Sequence, residues 1–172
     1  MGWNEPVSLQ PQYSILVRAT EYEILPMARD ENIAILPWSP LAGGFLSGKY
    51  RDGVSSAAKG TRIGDASSGD YYKRFETDRA KKIISALEKV SKETGKTMAQ
   101  VSLNWLLMNP AVTAPIIGAR NLSQLEENLG ASGWRLTEKQ VESINKASEM
   151  DITYPYDQRS EEQQRSGREL GT

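Results

Sequence analysis

The sequence contains neither cysteine nor histidine. Without cysteine there are no disulfides and no thiolate metal sites, and without histidine the commonest metal ligand is also missing. We therefore expect no metal cofactor. The 21 basic and 22 acidic residues leave a net charge of -1, so broad electrostatic attraction to nucleic acid or to an anionic membrane is not expected either.

Long apolar runs are also missing from the sequence. No segment approaches the roughly 20 apolar residues of a membrane span, and the first five residues do not form an apolar signal segment. A cytoplasmic protein is therefore expected. The 172 residues, 38% of them hydrophobic, suffice for one globular domain with a core. They fall short of the roughly 250 residues of a complete (β/α)8 barrel.

Apolar patterns of strand type and helix type alternate along the chain, an order that favours a parallel α/β sheet. Strands are predicted over residues 7–16, 33–36 and 112–117. Helices are predicted over residues 21–31 and 75–94, and after the capping pairs Thr97 with Gln100, Asn121 with Gln124, and Thr137 with Gln140. Residues 1–150 thus form the predicted domain, and the polar residues 151–172 are expected to form a flexible tail.

Two blocks of sequence carry the main functional signal. The first, WSPLAGGFLSGKY, runs from Trp38 to Tyr50, and the second, IGARNLSQLEEN, runs from Ile117 to Asn128. Both resemble the cofactor-binding loops of the aldo-keto reductases, and the order of predicted elements resembles the C-terminal half of that family's barrel. The resemblance implies an α/β fold, a partial (β/α)8 TIM barrel with about three parallel strands, the last of the barrel, and flanking helices.

The resemblance also implies an NADPH site. Gln10 matches the glutamine that holds the nicotinamide carboxamide, and Trp38 matches the aromatic residue on which the nicotinamide ring stacks. Residues that match the phosphate-binding and adenosine-binding positions of the family are Ser39, Pro40, Leu41, Lys49, Arg62, Gly118, Arg120, Gln124, Glu127 and Asn128. Arg62 is a weaker match than the others.

General chemistry supports two of these assignments. Arg120 precedes a predicted helix N-terminus, where free N–H groups and the helix dipole favour an anion, and its planar guanidinium suits a phosphate. A 2′-phosphate, and hence NADPH rather than NADH, is the natural ligand. The glycines Gly43, Gly44 and Gly48 would let the backbone approach a ligand closely.

Each of these residues also has a simpler structural interpretation. Trp38 is of a type that often packs in a core, and Arg120 is of a type that often lies exposed at a helix end. Lys49 and Arg62 would equally solvate a loop, and Gln10 would satisfy buried backbone groups. The uninterrupted blocks, and not any one residue, favour the cofactor site.

The catalytic residues of the family have no match in this chain. The Asp, Tyr, Lys and His that the family uses come from the first half of its barrel, and those positions precede Met1. No catalytic role is therefore assigned. Three hypotheses remain: an NADPH-binding part that needs a complementary N-terminal half for carbonyl reduction, a non-catalytic fragment that self-associates and keeps a relict nucleotide site, or a fragment without selected activity.

Overall fold

The protein is described here by a computed structural model covering residues 4–50, 59, 72–152 and 156. Arg62 lies outside the described residues, as does nearly all of the predicted tail. In the described part, two short strands, several helices and two 3-10 turns form one α/β structure. The 3-10 turns cover Ala19–Glu21 and Ala42–Ser47.

A small parallel sheet is formed by β1, Ser8–Leu9, and β2, Ala34–Ile35. The parallel pairing continues beyond β2, where the backbone N–H of Trp38 donates to the Pro11 carbonyl at 3.0 Å. The prediction that residues 7–16 form one strand is wrong in extent. Pro11 has no N–H for the ladder, and the chain then turns back on itself through mutual hydrogen bonds between Ser14 and Val17.

Residues 112–117 run parallel to β2 but do not form a regular strand. Val112 bridges to Ile35, and the backbone N–H of Ile116 donates to the Pro37 carbonyl at 2.8 Å. Pro115 removes one donor from this ladder, which explains why the pairing is broken. The prediction of three strands is therefore corrected to two strands and one paired extended segment within the described residues.

In the part of the chain that the structure describes, five α-helices lie where helices were predicted: α1 Ile24–Asp30, α2 Asp78–Thr94, α3 Met98–Met108, α4 Leu122–Leu129 and α5 Glu138–Ala147. The capping boxes of α3 and α5 are confirmed. At α3, Thr97 Oγ1 accepts from the Gln100 N–H at 3.2 Å, and Gln100 Oε1 accepts from the Thr97 N–H at 3.0 Å.

The core lies where α2 packs against α3 and α5. Ile83 and Leu87 of α2, Leu106 of α3 and Ile144 of α5 are fully buried there. Arg79 of α2 fastens the end of α5 to the turn that follows β1, since its guanidinium donates to the carbonyl of Ser148 at 2.6 Å and to that of Leu16 at 3.0 Å. The helical layer thus fixes the loop at the carboxyl end of β1.

Candidate functional site

The carboxyl ends of the three parallel segments meet at one edge of the sheet. Gln10 follows β1 directly and is exposed, while Trp38 follows β2 and is 43% exposed. The Trp38 N–H donates to the carbonyl of Pro11, the residue after Gln10, so Gln10 and Trp38 lie on neighbouring segments. The Ile116 bond to Pro37 brings the loop that begins at Gly118 to the same edge. Three of the predicted binding elements are therefore close in the fold.

The loop after Trp38 has an unusual backbone. Ser39 and Ala42 adopt positive φ angles of 55° and 49°, and Gly43 follows with a φ of 69°. A non-glycine residue in this region costs about 1 kcal/mol or more, and such residues cluster at binding sites. The loop is closed by internal bonds, among them the Ala42 N–H donating to the Ser39 carbonyl at 2.9 Å. Its shape is therefore set before any ligand arrives.

The predicted residues of this loop differ in what they present to solvent. Pro40 is buried and Leu41 is partly buried, packed against the core. Lys49 is exposed at the end of the loop, whereas Ser39 is partly exposed. Pro40 therefore packs on the inner side of the loop, and Ser39 and Lys49 are the predicted residues of this loop that are accessible to solvent.

Gly43 serves a purpose that the sequence did not reveal. A Cβ atom at this position would overlap the ring of Tyr72, which packs against the backbone there. Packing against Tyr72 accounts for a glycine at position 43, and the interpretation that a ligand approaches the backbone here stays a prediction. No local pattern could have indicated this contact, because the two residues are 29 positions apart in the sequence.

The loop before α4 is held by a modified cap. Asn121 Oδ1 accepts from the Gln124 N–H at 2.9 Å, as its capping pattern predicts. The Gln124 side chain, however, accepts from the N–H of Arg120 at 2.9 Å and not from that of Asn121. This bond joins two of the predicted site residues and fixes the backbone that carries the arginine.

Two further predicted residues attach α4 to its surroundings. Asn128 is 8% exposed, and its Nδ2 donates to the Gly118 carbonyl at 3.4 Å, which closes the loop onto the helix. The backbone carbonyl of Glu127 accepts from Gln100 Nε2 at 3.0 Å. The bond between Arg120 and Gln124 and the bond between Gly118 and Asn128 therefore tie the loop that precedes α4 to the helix at two points.

A second polar cluster lies outside this edge and was not found from the sequence. The Tyr13 hydroxyl donates to Glu21 Oε1 at 2.8 Å and accepts from Asn109 Nδ2 at 3.1 Å, and it lines a cleft of about 560 Å³ between α1, α3 and α5. Burial, together with the negative charge of Glu21, raises the pKa of Tyr13. Arg18 pairs with Glu21 at 2.7 Å and lies over the ring of Trp105. The hydrogen bonds of this cluster are made to other residues of the protein.

Within the described ranges, no three acidic side chains come together in a way that could hold a metal ion. In the same part of the chain, no helix has the length and apolar character needed to cross a bilayer.

Residues 1–149 match the Aldo/keto reductase family. "Uncharacterized oxidoreductase YrpG" of Bacillus subtilis is 39% identical over 139 residues, which cover 81% of this chain and 39% of that protein. "Probable voltage-gated potassium channel subunit beta" of Arabidopsis thaliana is 34% identical over 127 residues, 73% of this chain and 38% of that protein. "L-glyceraldehyde 3-phosphate reductase" of Escherichia coli is 32% identical over 131 residues, which cover 75% of this chain and 38% of that protein.

The parallel sheet, the helical layer and the loops at one sheet edge define an α/β protein of the kind built from β/α units. The chain belongs to the aldo/keto reductase family, as its two sequence blocks predicted. It spans about two fifths of the length of the curated relatives named above. The family has a TIM barrel fold, and the described residues contribute two strands and one extended segment of parallel direction.

Proposed function

We propose that this chain is the NADP(H)-binding part of an aldo-keto reductase, whose whole barrel reduces aldehydes or ketones with NADPH. The observation that supports it best is the shared sheet edge, where exposed Gln10, half-exposed Trp38 and the Gly118 loop follow neighbouring parallel segments. Ligands of α/β proteins bind beyond the carboxyl ends of parallel strands. In this proposal, the chain acts in the cytoplasm.

The nicotinamide end of the cofactor would lie at Trp38. A large aromatic side chain that is 43% exposed beside a strand end offers a face for stacking with a planar ring. Gln10 on the neighbouring segment has an amide that can both donate to and accept from a carboxamide. The backbone of residues 39–48, fixed by its internal hydrogen bonds, would run along the pyrophosphate.

The adenosine end would lie at the start of α4. Arg120 is exposed just before this helix, and the positive end of the helix dipole adds to its charge. A guanidinium binds a phosphate through two parallel hydrogen bonds, so a 2′-phosphate is favoured over a free hydroxyl. Glu127 and Asn128 lie one to two turns further along the same helix and complete the adenosine region in this proposal.

When bound, the cofactor supplies a hydride, and this chain holds and orients it. A proton donor is not assigned among the described residues. Tyr13 does not fit that role, because it is fully buried, its hydroxyl donates to Glu21, and burial raises its pKa. The isolated chain is therefore proposed to bind NADPH without turnover, and to need the rest of a barrel for carbonyl reduction.

Two arginine substitutions, one in the proposed site and one outside it, test the assignment of the phosphate site. Arg120→Ala should weaken NADPH binding by roughly 10-fold or more, the loss of a charge-assisted hydrogen bond, and should leave NADH binding nearly unchanged. Arg135→Ala is the matched control, since Arg135 is also exposed but lies after α4. Equal weakening of NADPH and NADH by Arg120→Ala, or equal effects of the two substitutions, would contradict the proposal.

A further inference from the structure

The cleft between α1, α3 and α5 is large enough to hold a small molecule. Its volume is about 560 Å³, and ligand sites usually have volumes of about 300 to 1,000 Å³. Helix α1 packs on the turn of residues 19–21 and on β2, whereas α3 packs on α2 and α4. The cleft lies between these two groups of elements. None of the described residues predicted for the cofactor site lines it.

The floor of this cleft is apolar and aromatic. The ring centroids of Tyr13 and Trp105 lie 5.6 Å apart there, and both residues are buried, as is Leu25 of α1. Met108 and Val141, which are partly exposed, also line the cleft. A carbon chain or ring that covers these side chains would gain about 25 cal/mol for each Å² of apolar surface removed from water. The floor therefore favours a ligand with an apolar body.

The charged groups beside the floor are already paired. The Arg18 guanidinium donates to both carboxylate oxygens of Glu21, at 2.7 and 2.8 Å, and the Tyr13 hydroxyl donates to the same carboxylate. Arg18 also donates to the Ser148 hydroxyl at 2.8 Å. On this side of the cleft a ligand would therefore meet an ion pair without net charge.

A smaller cleft of about 340 Å³ adjoins the larger one, and Arg29, Pro110 and Ala111 line both. Asn32 and Thr113 contribute polar side chains to the smaller cleft. Among the described residues that line it, the charged one is Arg29. Arg29 is exposed and, in the part of the chain that the structure describes, it forms no ion pair. The smaller cleft therefore favours an anionic group.

The end of helix α1 lies beside this position, and free carbonyl groups there would repel an anion. The Ala28 carbonyl, however, accepts from the Ile33 N–H at 2.7 Å. The Arg29 carbonyl accepts from the Asn32 N–H at 3.4 Å. The acidic residue Asp30 lines the larger cleft but not the smaller one. An anion beside the Arg29 guanidinium is therefore compatible with the groups around it.

We propose that the two clefts together bind a small amphipathic acid. Its carboxylate would pair with Arg29 in the smaller cleft, and its apolar body would lie on the floor that Tyr13 and Trp105 form in the larger one. A guanidinium binds a carboxylate through two parallel hydrogen bonds, which an alcohol of the same length cannot match. This site is separate from the proposed cofactor site and does not depend on it.

Octanoate is the probe, and the full chain is titrated with it in proton–nitrogen correlation spectra. The Trp105 indole N–H, which donates to Asn145 Oδ1 at 2.9 Å, reports on the larger cleft, and its signal is assigned by its loss in Trp105→Phe. Octanoate should shift this signal saturably, and octanol, which has no charge, should bind at least about 5-fold more weakly. No saturable shift, or equal affinities for the acid and the alcohol, would overturn the proposal.

The indole signal of Trp38 reports on the other location. Trp38 is exposed at the carboxyl edge of the sheet and does not line either cleft. Octanoate should therefore leave the Trp38 signal in place while the Trp105 signal moves. A shift of the Trp38 signal without one at Trp105 would place the acid at the sheet edge and contradict a site between α1, α3 and α5.

Two arginine variants test the recognition of the carboxylate. Arg29→Gln should weaken octanoate binding by about 5-fold or more and leave octanol binding within about 2-fold, because it removes the charge and keeps an amide of similar shape. Arg135→Gln is the matched control, since Arg135 is exposed as well but lines neither cleft. Unchanged octanoate binding in Arg29→Gln, or the same loss in both variants, would show that Arg29 does not bind the acid.

Discussion

The ring of Tyr72 fills the space beside Gly43, so that a side chain at position 43 would overlap its Cε1 and Cζ atoms. Tyr72 in turn packs with Phe75, whose ring centroid is 6.2 Å away, and Phe75 packs with Phe45 at 5.9 Å. This aromatic cluster supports the loop that follows Trp38 from the protein side. These ring contacts restrict the conformations that the loop can adopt, and in the proposed site a restricted loop would lower the entropy cost of binding.

Gly43→Ala tests this packing directly. Gly133→Ala is the matched control, because Gly133 also has a positive φ, 82°, but has open space where a Cβ would lie. The control should cost about 1 kcal/mol of unfolding free energy from backbone strain alone. Gly43→Ala should cost at least about 1 kcal/mol more, since the Tyr72 ring must move. Urea denaturation of the two variants measures the difference.

The double variant Gly43→Ala with Tyr72→Ala shows whether overlap with Tyr72 causes the loss of stability in Gly43→Ala. If the overlap with Tyr72 is responsible, the double variant should lose clearly less stability than the sum of the two single variants. Additive losses would mean that Gly43 is required for its backbone conformation only.

Asn104 is expected to be the polar residue whose loss is most costly in the helical layer. Its Nδ2 donates to the carbonyls of Ala131 and Trp134, both at 2.9 Å, and its Oδ1 accepts from the Leu136 N–H at 3.1 Å. Asn104→Leu would leave three backbone groups without these partners, and we expect a loss of about 3 kcal/mol in unfolding free energy.

The control for Asn104 is Ser132→Ala, which removes one exposed hydrogen bond in the same connection. Its effect should stay within about 0.5 kcal/mol. Thermal denaturation followed by circular dichroism compares the two variants. A small effect of Asn104→Leu would show that the residues between α4 and α5 do not depend on this side chain.

Because Tyr13 is buried, we expect the folded protein to lose stability at alkaline pH. Burial and then the charge of Glu21 raise its pKa in the folded state, whereas the unfolded chain ionises near about pH 10. A raised folded pKa gives stability that is fully present below the unfolded pKa and is lost as the pH rises above it. The loss should be about 1.4 kcal/mol for each pH unit above about 10.

Tyr13→Phe separates this contribution from the other alkaline titrations, which both proteins share. Near pH 8 the variant should be less stable by about 1 to 2 kcal/mol, because the hydroxyl no longer bonds Glu21 and Asn109. The stability difference between the two proteins should shrink between pH 9 and pH 11. A difference that stays constant across this range would show that Tyr13 ionises normally in the folded protein.

Local signals in the sequence predicted the helices well. The Thr97 and Thr137 caps depend on residues three positions apart, so the pattern contains both partners of each bond. The strands were predicted too long, because Pro11 and Pro115 interrupt the ladders and the apolar pattern does not register a missing N–H. The family itself was predicted from two uninterrupted blocks, and the comparison confirmed it.

Features that depend on distant contacts could not be predicted. Gly43 meets Tyr72, which is 29 positions away in the sequence, and Tyr13 bonds Asn109 across 96 positions. To predict the modified α4 cap, one would have to know that the Gln124 side chain accepts from the N–H of Arg120 and not from that of Asn121. The roles of Gln10, Trp38, Lys49 and Arg120 in cofactor binding stay predictions, since they depend on a ligand and not on packing.

Titration of the full chain with NADPH, followed by tryptophan fluorescence and run in parallel with NADH, tests the central claim most directly. The account predicts saturable quenching that is stronger for NADPH, and loss of most of the quenching in Trp38→Phe, because Trp38 is the tryptophan that stacks on the nicotinamide in the proposed site. No saturable binding, or quenching that persists unchanged in Trp38→Phe, would contradict a cofactor site at this sheet edge.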